Sequence, residues 1–527
     1  MLAGTDRLHP AGLPRRPGKY LWYALGVLTA VNLLSYINRN VIFALFESIE
    51  RDLGMSDLDA GWIASAYVLV FSLAALPFGV LSDLRSRRAV MAGGIALWSA
   101  FSCLAGLSQG FGSLFLTRAL VGAGGAAAAA AAASLVADYF PGQRRALAMG
   151  IYMSGISLGG VTGILIGGSL QAVYGWRVAM MAVGFPGFAL ALLAWRLDDP
   201  GRPPLSLTVS EVLHELQLGA RGLIRTMAPL LIGTGVGGVM AWYLNRRISP
   251  DSKLDIAALA LACGLGFAIN IFVWVRQARR APPPGPDNPP DVIQNALDEI
   301  ALALRVVLRT PTLVYIFVGG ALISFGMNGL VGWAPTLLSR TLGWSVRQVS
   351  TVLGTTGLAA GLAGTLAGGW LADLLRRRWA SSRVLVAGAG FLLGAPLAIW
   401  LLTIRDPSHF VPVFSAAFFF LTWYSGPLTA AIFDVAPARL SATVVGAYLL
   451  FIHLAGDAVA FPLIGMLSDR FGLDRAAYLL PTMALIGGLV VLASSRTIAR
   501  DITQVTRATG EWKVVGGNAG KGRGERG

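Results

Sequence analysis

Stretches of twenty or more residues almost free of charge recur along this chain, and they constrain its fold more than any other feature. A backbone in hydrocarbon must satisfy its own N–H and C=O groups, so such stretches cross a membrane as helices. At about 1.5 Å per residue, roughly 20 residues span a ~30 Å core. The apolar spans fall at 20–46, 61–82, 89–108, 113–137, 146–172, 177–197, 227–245, 255–275, 312–339, 348–372, 384–403, 410–433, 441–467 and 476–495, fourteen in all. Composition agrees. Soluble chains carry about 25% charged residues, whereas this one, of 527 residues, carries 13% against 55% hydrophobic. Disorder and coiled coil need more charge, and the 65 glycines follow no collagen period. The fold class expected is an all-α polytopic membrane protein.

The formal charge is +15, from 42 Lys+Arg and 27 Asp+Glu. The basic residues sit in short loops and tails and build no basic face, so no nucleic-acid partner is expected. An even span count puts both termini on one side. With that side cytoplasmic, the N-terminus and short inner loops hold fourteen basic residues, against seven in the outer loops (Arg51, Arg177, Arg340, Arg347, Arg405, Arg470 and Arg475). This is the positive-inside bias, and it predicts a multi-pass protein of the cytoplasmic membrane. The turn with Arg246, Arg247 and Lys253 runs against it, but Arg276, Arg279 and Arg280 make the other flank of that hairpin equally basic. The stretch from Tyr20 is too long for a signal-peptide core and is read as the first membrane helix.

Cys103 and Cys263 lie in apolar runs, and His9, His214 and His409 in tails or loops, so neither a disulfide, a metal site nor a cofactor is expected. No Walker A sequence occurs. Gly155-Ile-Ser-Leu-Gly159 matches a hydrolase elbow but lies in a membrane helix, and Gly122-Ala-Gly-Gly125 lacks the strand of a dinucleotide site. No nucleophile–base set appears, so the chain is not read as an enzyme.

The middle differs in kind. Thr208-Val-Ser-Glu211 is a capping box opening an amphipathic stretch with Val209, Val212, Leu213, Leu216 and Leu223 on one face. Ala281–Pro290 is a proline-rich linker, and Ile293, Leu297, Ile300, Leu304 and Val307 mark a second amphipathic stretch. The expected division is a cytoplasmic tail (1–19), an N-terminal bundle (20–200), a central region (201–311) with the extra hairpin 227–275, a C-terminal bundle (312–497) and a mostly disordered cytoplasmic tail (498–527).

An internal repeat supports two halves. Gly79-Val-Leu-Ser-Asp83, then Arg87 and Arg88, recurs 290 residues later as Gly369-Trp-Leu-Ala-Asp373, then Arg377 and Arg378. A weaker echo, Gly465-Met-Leu-Ser-Asp469, ends the thirteenth span. Glycine lets helix ends approach, and an aspartate paired with loop arginines in one state and not another can gate. Parallel repeats of this kind are found in alternating-access carriers. These loops resemble the signature between helices 2 and 3 of the major facilitator superfamily, and Arg118-x-x-x-Gly122-x-Gly124-x-Ala126 is similar to its fourth-helix motif. The resemblance covers 20–200 and 312–495 and implies two six-helix bundles, with 227–275 as an insertion. Within the superfamily, Tyr36-Ile-Asn38-Arg39, Gly426-Pro-Leu with Asp434-Val-Ala-Pro437-x-Arg439-Leu-x-Ala442-Thr443, and His453-Leu-Ala-Gly456-Asp457-Ala resemble Spinster-type lipid transporters. That branch has an aspartate where this chain has Asn38 and a glutamate where it has Gly125. Those acids are its expected proton carriers.

Charges inside a membrane are costly, about 2.5–3.5 kcal/mol each, and so are functional candidates. Arg39, Arg118 and Asp457 qualify, with His453 as a titratable fourth. In the resembled fold the first and fourth helices line the cavity, so Arg39 and Arg118 can hold a phosphate or carboxylate bidentately; alternatively each hydrogen-bonds backbone or fixes helix packing. His453 and Asp457, four apart, share a helix face and form either a proton site or a structural pair. Asn38, Asn328, Trp423 and Tyr424 are candidate lining, the last two from the run Phe418–Ser425, which can equally face lipid. The eight alanines Ala126–Ala133 allow close helix contact or a wide cavity. Gly155, Gly159, Gly163 and Gly167, and Gly354, Gly357, Gly361, Gly364 and Gly368, form two stripes suited to halves that rock.

The expected function is a secondary carrier of a lysophospholipid-like amphiphile, working as a monomer in the bilayer by alternating access, facilitative or weakly proton-coupled. The alternatives are a proton-coupled drug or organic-anion carrier and a non-transporting lipid receptor.

Overall fold

The computed structural model describes residues 18–84, 86–140, 144–199, 302–376, 378–437 and 440–505. Regular structure among them is helical. The N-terminal half comprises α1 (Gly18–Asn40, continued by a 3-10 turn Val41–Ala44), α2 (Phe46–Leu53), α3 (Asp57–Leu84), α4 (Arg87–Ala105), α5 (Phe111–Tyr139), α6 (Arg144–Gly184) and α7 (Pro186–Trp195). After a helical piece at 302–309, the C-terminal half comprises α8 (Pro311–Leu342), α9 (Val346–Arg376), α10 (Ser382–Leu401), α11 (Pro407–Leu421), α12 (Ser425–Val435), α13 (Ser441–Ile452), α14 (Ala458–Phe471), α15 (Leu473–Ala476) and α16 (Leu479–Ala493).

Eleven described stretches are long and apolar enough to cross a membrane. One of them, Leu147–Trp195, is 49 residues long and turns at Gly175, whose φ of +81° suits a residue without a Cβ. It therefore accounts for two of the fourteen expected spans, and twelve are matched. The 227–275 hairpin, the stretch 209–223, the linker 281–290, Arg377, Arg439 and the side chain of Asp83 lie outside the described residues. Helix continues through 498–505, where a tail was expected.

By its internal contacts the chain divides into two units. The larger draws on Met1–Leu205, Tyr315–Ala431 and Leu449–Ala499, and so includes parts of both halves. The smaller draws on Ser206–Val314, Ile432–Tyr448 and Arg500–Gly527. Within the smaller, Asp501 accepts a hydrogen bond at 3.0 Å from the Thr312 amide, which satisfies a donor at the start of α8. The site described below lies wholly in the larger.

The alanine run resolves as close contact. Ala126, Ala127, Ala128, Ala131 and Ala132 are buried, and α5 crosses α4 so tightly that a Cβ at Gly124 would meet the Gly94 carbonyl. The glycine stripes also serve packing, mostly within halves rather than between them. Gly159 and Gly163 press α6 onto the Leu33 and Ile37 carbonyls of α1, and Gly364 and Gly368 press α9 onto Phe419 and Trp423. Of the stripe glycines, Gly354 meets the other half at Leu165, and Gly168, beside the first stripe, meets it at Ser350.

Two spans are interrupted. The run from 407 to 435 breaks at Thr422–Tyr424, between α11 and α12. Between α13 and α14 the chain forms a π-helical turn, His453–Asp457; such turns recur at functional sites.

Candidate functional site

The middle of the larger unit holds a buried polar cluster contributed by both halves. Arg39 lies in the last turn of α1 and is buried. Its Nη2 donates to Asp457 Oδ2 at 3.1 Å. Asp457, fully buried, closes the π turn. The same Oδ2 lies 2.7 Å from His453 Nδ1. A carboxylate only accepts, so Nδ1 carries the proton and the ring is oriented by Asp457. Oδ1 accepts from Asn328 Nδ2 at 2.8 Å and from the Ser324 hydroxyl, both on α8. Four donors thus surround one carboxylate in a medium where an unpaired charge is costly. The expected His453–Asp457 contact is thus present, and it is joined by Arg39, which sequence reasoning had assigned elsewhere.

Arg118 and Asn38 are turned away from the cavity. Arg118 Nη1 and Nη2 donate to the Asn38 and Arg39 carbonyls, each at 2.9 Å. The last carbonyls of a helix lack intrahelical partners, and Arg118 supplies them at the end of α1. Its guanidinium stacks 5.3 Å from the Tyr67 ring, which also lies 5.9 Å from Arg39. Asn38 accepts from Ser102 at 2.6 Å and donates to the Leu34 and Val183 carbonyls at 3.2 Å. Both side chains therefore hold helices together and orient Arg39. At Gly125 an added Cβ would lie 3.1 Å from the Tyr67 hydroxyl, so an aromatic ring occupies the space of the missing acid.

Arg39 and Asn328 open onto a cavity of about 290 Å³, at the low end of the ~300–1,000 Å³ typical of ligand sites. Its wall includes Tyr36, Trp333 and the phenylalanines Phe410, Phe414 and Phe418 of α11. Those three rings form a ladder, stacked at 5.9 and 5.6 Å. The far rim carries Arg405 and Asp474. Trp423 and Tyr424 do not line the cavity. Trp423 packs on Phe419 and Phe420 and against Gly368 and Gly390, and Tyr424 on Phe391, because the helix breaks beside them. The ladder was missed, although its i, i+4, i+8 spacing marks one helix face.

A second polar cluster closes the halves at the Arg340 end. Arg340 Nη1 and Nη2 grip both oxygens of Asp57 at 2.8 Å. Nη2 also donates to Glu50 at 2.6 Å and Nε to Glu47 at 2.9 Å. Asp469, the repeat's echo, accepts from the Asp57 and Leu58 amides at 2.9 and 3.1 Å. It caps α3 from α14, where the helix dipole favours an anion. Burial pushes the Glu50 carboxyl up to about 8, with Asp57 adding to the rise and Arg340 opposing it. Its Oε1 is buried without a hydrogen-bond partner, and a proton there supplies one toward Asp57.

When the cluster parts and Glu50 meets water, its pKa returns to about 4.3. The closed form then binds the extra proton between about 4.3 and about 8. The closed arrangement is therefore fully stabilised below the lower value and weakens as pH rises through the upper one, by up to about tenfold per pH unit. Alkylation of a Thr341→Cys probe, corrected for the thiolate fraction of the cysteine, should quicken as pH rises from 5 to 8, and Glu50→Gln should flatten that corrected dependence. An unchanged slope in the variant would place the titration elsewhere.

The repeated loops behave unequally. Arg87 is buried and bridges Asp138 and Asp199, with Nε 3.0 Å from Asp199 Oδ1 and Nη1 3.0 Å from Ser134. Arg88 is exposed and reaches the Leu197 carbonyl at 3.4 Å. Asp373 is exposed and 3.8 Å from Arg383, and Arg378 is exposed. A Cβ at Gly79 or Gly369 would meet nothing within 4 Å, so no close approach at these glycines requires their lack of a side chain in this state.

The sequence model of the Major Facilitator Superfamily matches residues 28–250 and 225–456. An MFS-type efflux pump of Mycolicibacterium smegmatis is 26% identical over 512 residues, 95% of this chain and 98% of that protein. The sphingosine-1-phosphate transporter SPNS2 of Xenopus tropicalis is 23% identical over 502 residues, 91% of this chain and 82% of that protein. The solved structure of a bacterial homolog of the human lysosomal transporter Spinster, inward-facing and unoccupied, matches with a TM-score of 0.69. It is 20% identical and covers 92% of this chain and 99% of the other.

Proposed function

The chain belongs to the Major Facilitator Superfamily and is Spinster-like within it; on that premise we propose that it carries a lysophospholipid-like amphiphile across the cytoplasmic membrane by alternating access. One observation carries the proposal. A cavity walled by aromatic and aliphatic side chains carries Arg39 and Asn328 at one end, so its walls suit hydrocarbon and that end an anionic head group. The substrate's phosphate meets Arg39, and its chain lies along the phenylalanine ladder. Arg118 positions Arg39 by holding the end of α1.

Both termini lie in the cytoplasm in this reading, so the Arg340 cluster closes the outer end and the cavity is loaded from within. Opening requires Arg340 to release Glu47, Glu50 and Asp57. It also requires Arg39 and Asp457, on opposite halves, to part, and a phosphate on Arg39 compensates the cation as they do. Asp457, left with His453, then takes up a proton. This supports weak proton coupling through His453–Asp457 even though the chain has Asn38 and Gly125 at the positions of the branch's usual acids. Gly79, Asp83, Arg87 and Arg88, with their repeat Gly369, Asp373, Arg377 and Arg378, gate the inner end in this reading.

The test is uptake of labelled lysophospholipid into proteoliposomes with and without a pH gradient. We expect saturable uptake that a gradient raises by no more than about threefold, with His453→Ala removing that increment. Absence of uptake under both conditions would discard the lipid assignment. The efflux-pump relative, aligned across 95% of the chain, favours a second reading as a drug or organic-anion carrier. Uptake of such compounds that lysophospholipid does not inhibit would establish it.

A further inference from the structure

Two guanidiniums and one carboxylate are buried beside one end of the cavity: Arg39, Arg118 and Asp457. Asp457 gives its full accepting capacity to Arg39, His453, Ser324 and Asn328. Arg118 meets no carboxylate among the described residues. It donates to the Asn38 and Arg39 carbonyls, which carry only partial negative charge, and its Nε is buried without a hydrogen-bond partner. The other buried carboxylates described in the larger unit, Glu50 and Asp57, are held by Arg340. One positive charge is therefore left over, and a buried charge without a counterion is costly.

That surplus acts on the cavity through Arg39. Arg118 lies 5.3 Å and Arg39 5.9 Å from the centroid of the same Tyr67 ring, and Arg39 lies 5.6 Å from Tyr36. The rings attract both cations but supply no net charge. Arg39 lines the cavity, so an anion seated on it meets the field of both arginines. A cation brought in with that anion finds no partner there. Asp457 is saturated, Tyr36 and Tyr67 are already engaged by guanidiniums, and the carboxylate on the cavity wall, Asp474, belongs to the far rim.

We propose that this end of the cavity takes a head group of net negative charge, a phosphate without a compensating ammonium, and discriminates against a zwitterion. This rests on the amphiphile reading above and narrows its substrate class. A phosphomonoester, or a phosphodiester that ends in a neutral polyol, brings the missing counterion to the cluster. A phosphocholine brings none on balance, and its cation is repelled by the two arginines.

The test is uptake into proteoliposomes of three lysophospholipids with one acyl chain in common: lysophosphatidylglycerol, lysophosphatidate and lysophosphatidylcholine. The wild-type protein should take up each of the first two at least about tenfold faster than the third at limiting concentration. Arg118→Gln removes the surplus charge and leaves an amide that donates to a helix carbonyl, so this ratio should fall at least about threefold. Arg118→Lys keeps the charge and should keep the ratio, even where total uptake drops. A merely structural Arg118 would lower uptake of all three lipids alike and leave the ratio unchanged in both variants; that result would overturn the charge argument. Equal uptake of the choline and glycerol lipids by the wild-type protein would overturn it too, and this comparison stands even if Arg118→Gln impairs folding. Uptake of none of the three would instead sink the amphiphile reading itself, so the two failures are distinct.

Discussion

Replacing Arg39 by alanine is expected to lower lysophospholipid transport at least about 100-fold. The effect has two parts that a second substitution separates. Asp457 is fully buried, and Arg39 is the cation that faces it from α1. Removing one partner of a buried pair leaves an uncompensated charge and costs about 3–5 kcal/mol, so Arg39→Ala should lower thermal stability measurably. Adding Asp457→Asn removes that stranded charge, while the amide still accepts from Ser324 or Asn328 through its oxygen. Stability should then return most of the way. Transport should not, because the guanidinium that meets the head group is still absent. A purely structural pair would recover both in the double variant, and that result would remove Arg39 from the substrate site.

Arg340→Ala should be nearly as severe, at the other end of the cavity. Glu47 and Asp57 would face each other beside protonated Glu50 without their shared cation, and like charges at such distances repel. The closed end should open, raising alkylation of the Thr341→Cys probe at least about tenfold, and transport should fall by a similar factor because the inward-loaded state is depleted. Arg340→Lys should lie between. One ammonium cannot reproduce a fork that grips both Asp57 oxygens and reaches two glutamates besides. Unchanged accessibility in Arg340→Ala would show that the α3–α14 contact, capped by Asp469, closes this end unaided.

Much of the architecture is legible in the sequence because lipid imposes a simple rule: length and absence of charge mark a span. Twelve of the fourteen expected spans appear where hydropathy puts them. Arg39, His453 and Asp457 were legible for the same reason, as charges where charge is costly. What joins them was not. Arg39 and Asp457 are 418 residues apart, and nothing local in either segment names the other. Arg340 meets its carboxylates across 283 to 293 residues, so it reads in the sequence as one more loop charge. Arg118 was misassigned because its acceptors are backbone carbonyls, which no side-chain pattern records. Trp423 and Tyr424 were read as cavity lining within the aromatic run Phe418–Ser425. The break at Thr422–Tyr424 redirects them, and Gly426-Pro427 just beyond is the signal that should have cautioned against it.

The central claim is that an amphiphile lies in this cavity with its phosphate at Arg39 and its chain along Phe410, Phe414 and Phe418. The most direct measurement is an experimental structure of the purified protein with a bound lysophospholipid. The account predicts phosphate oxygens within hydrogen-bond distance of Arg39, with the chain running along the Phe410, Phe414 and Phe418 side of the cavity. A head group seated at Arg405 with its chain end at Arg39, or a lipid bound outside the cavity, would contradict it.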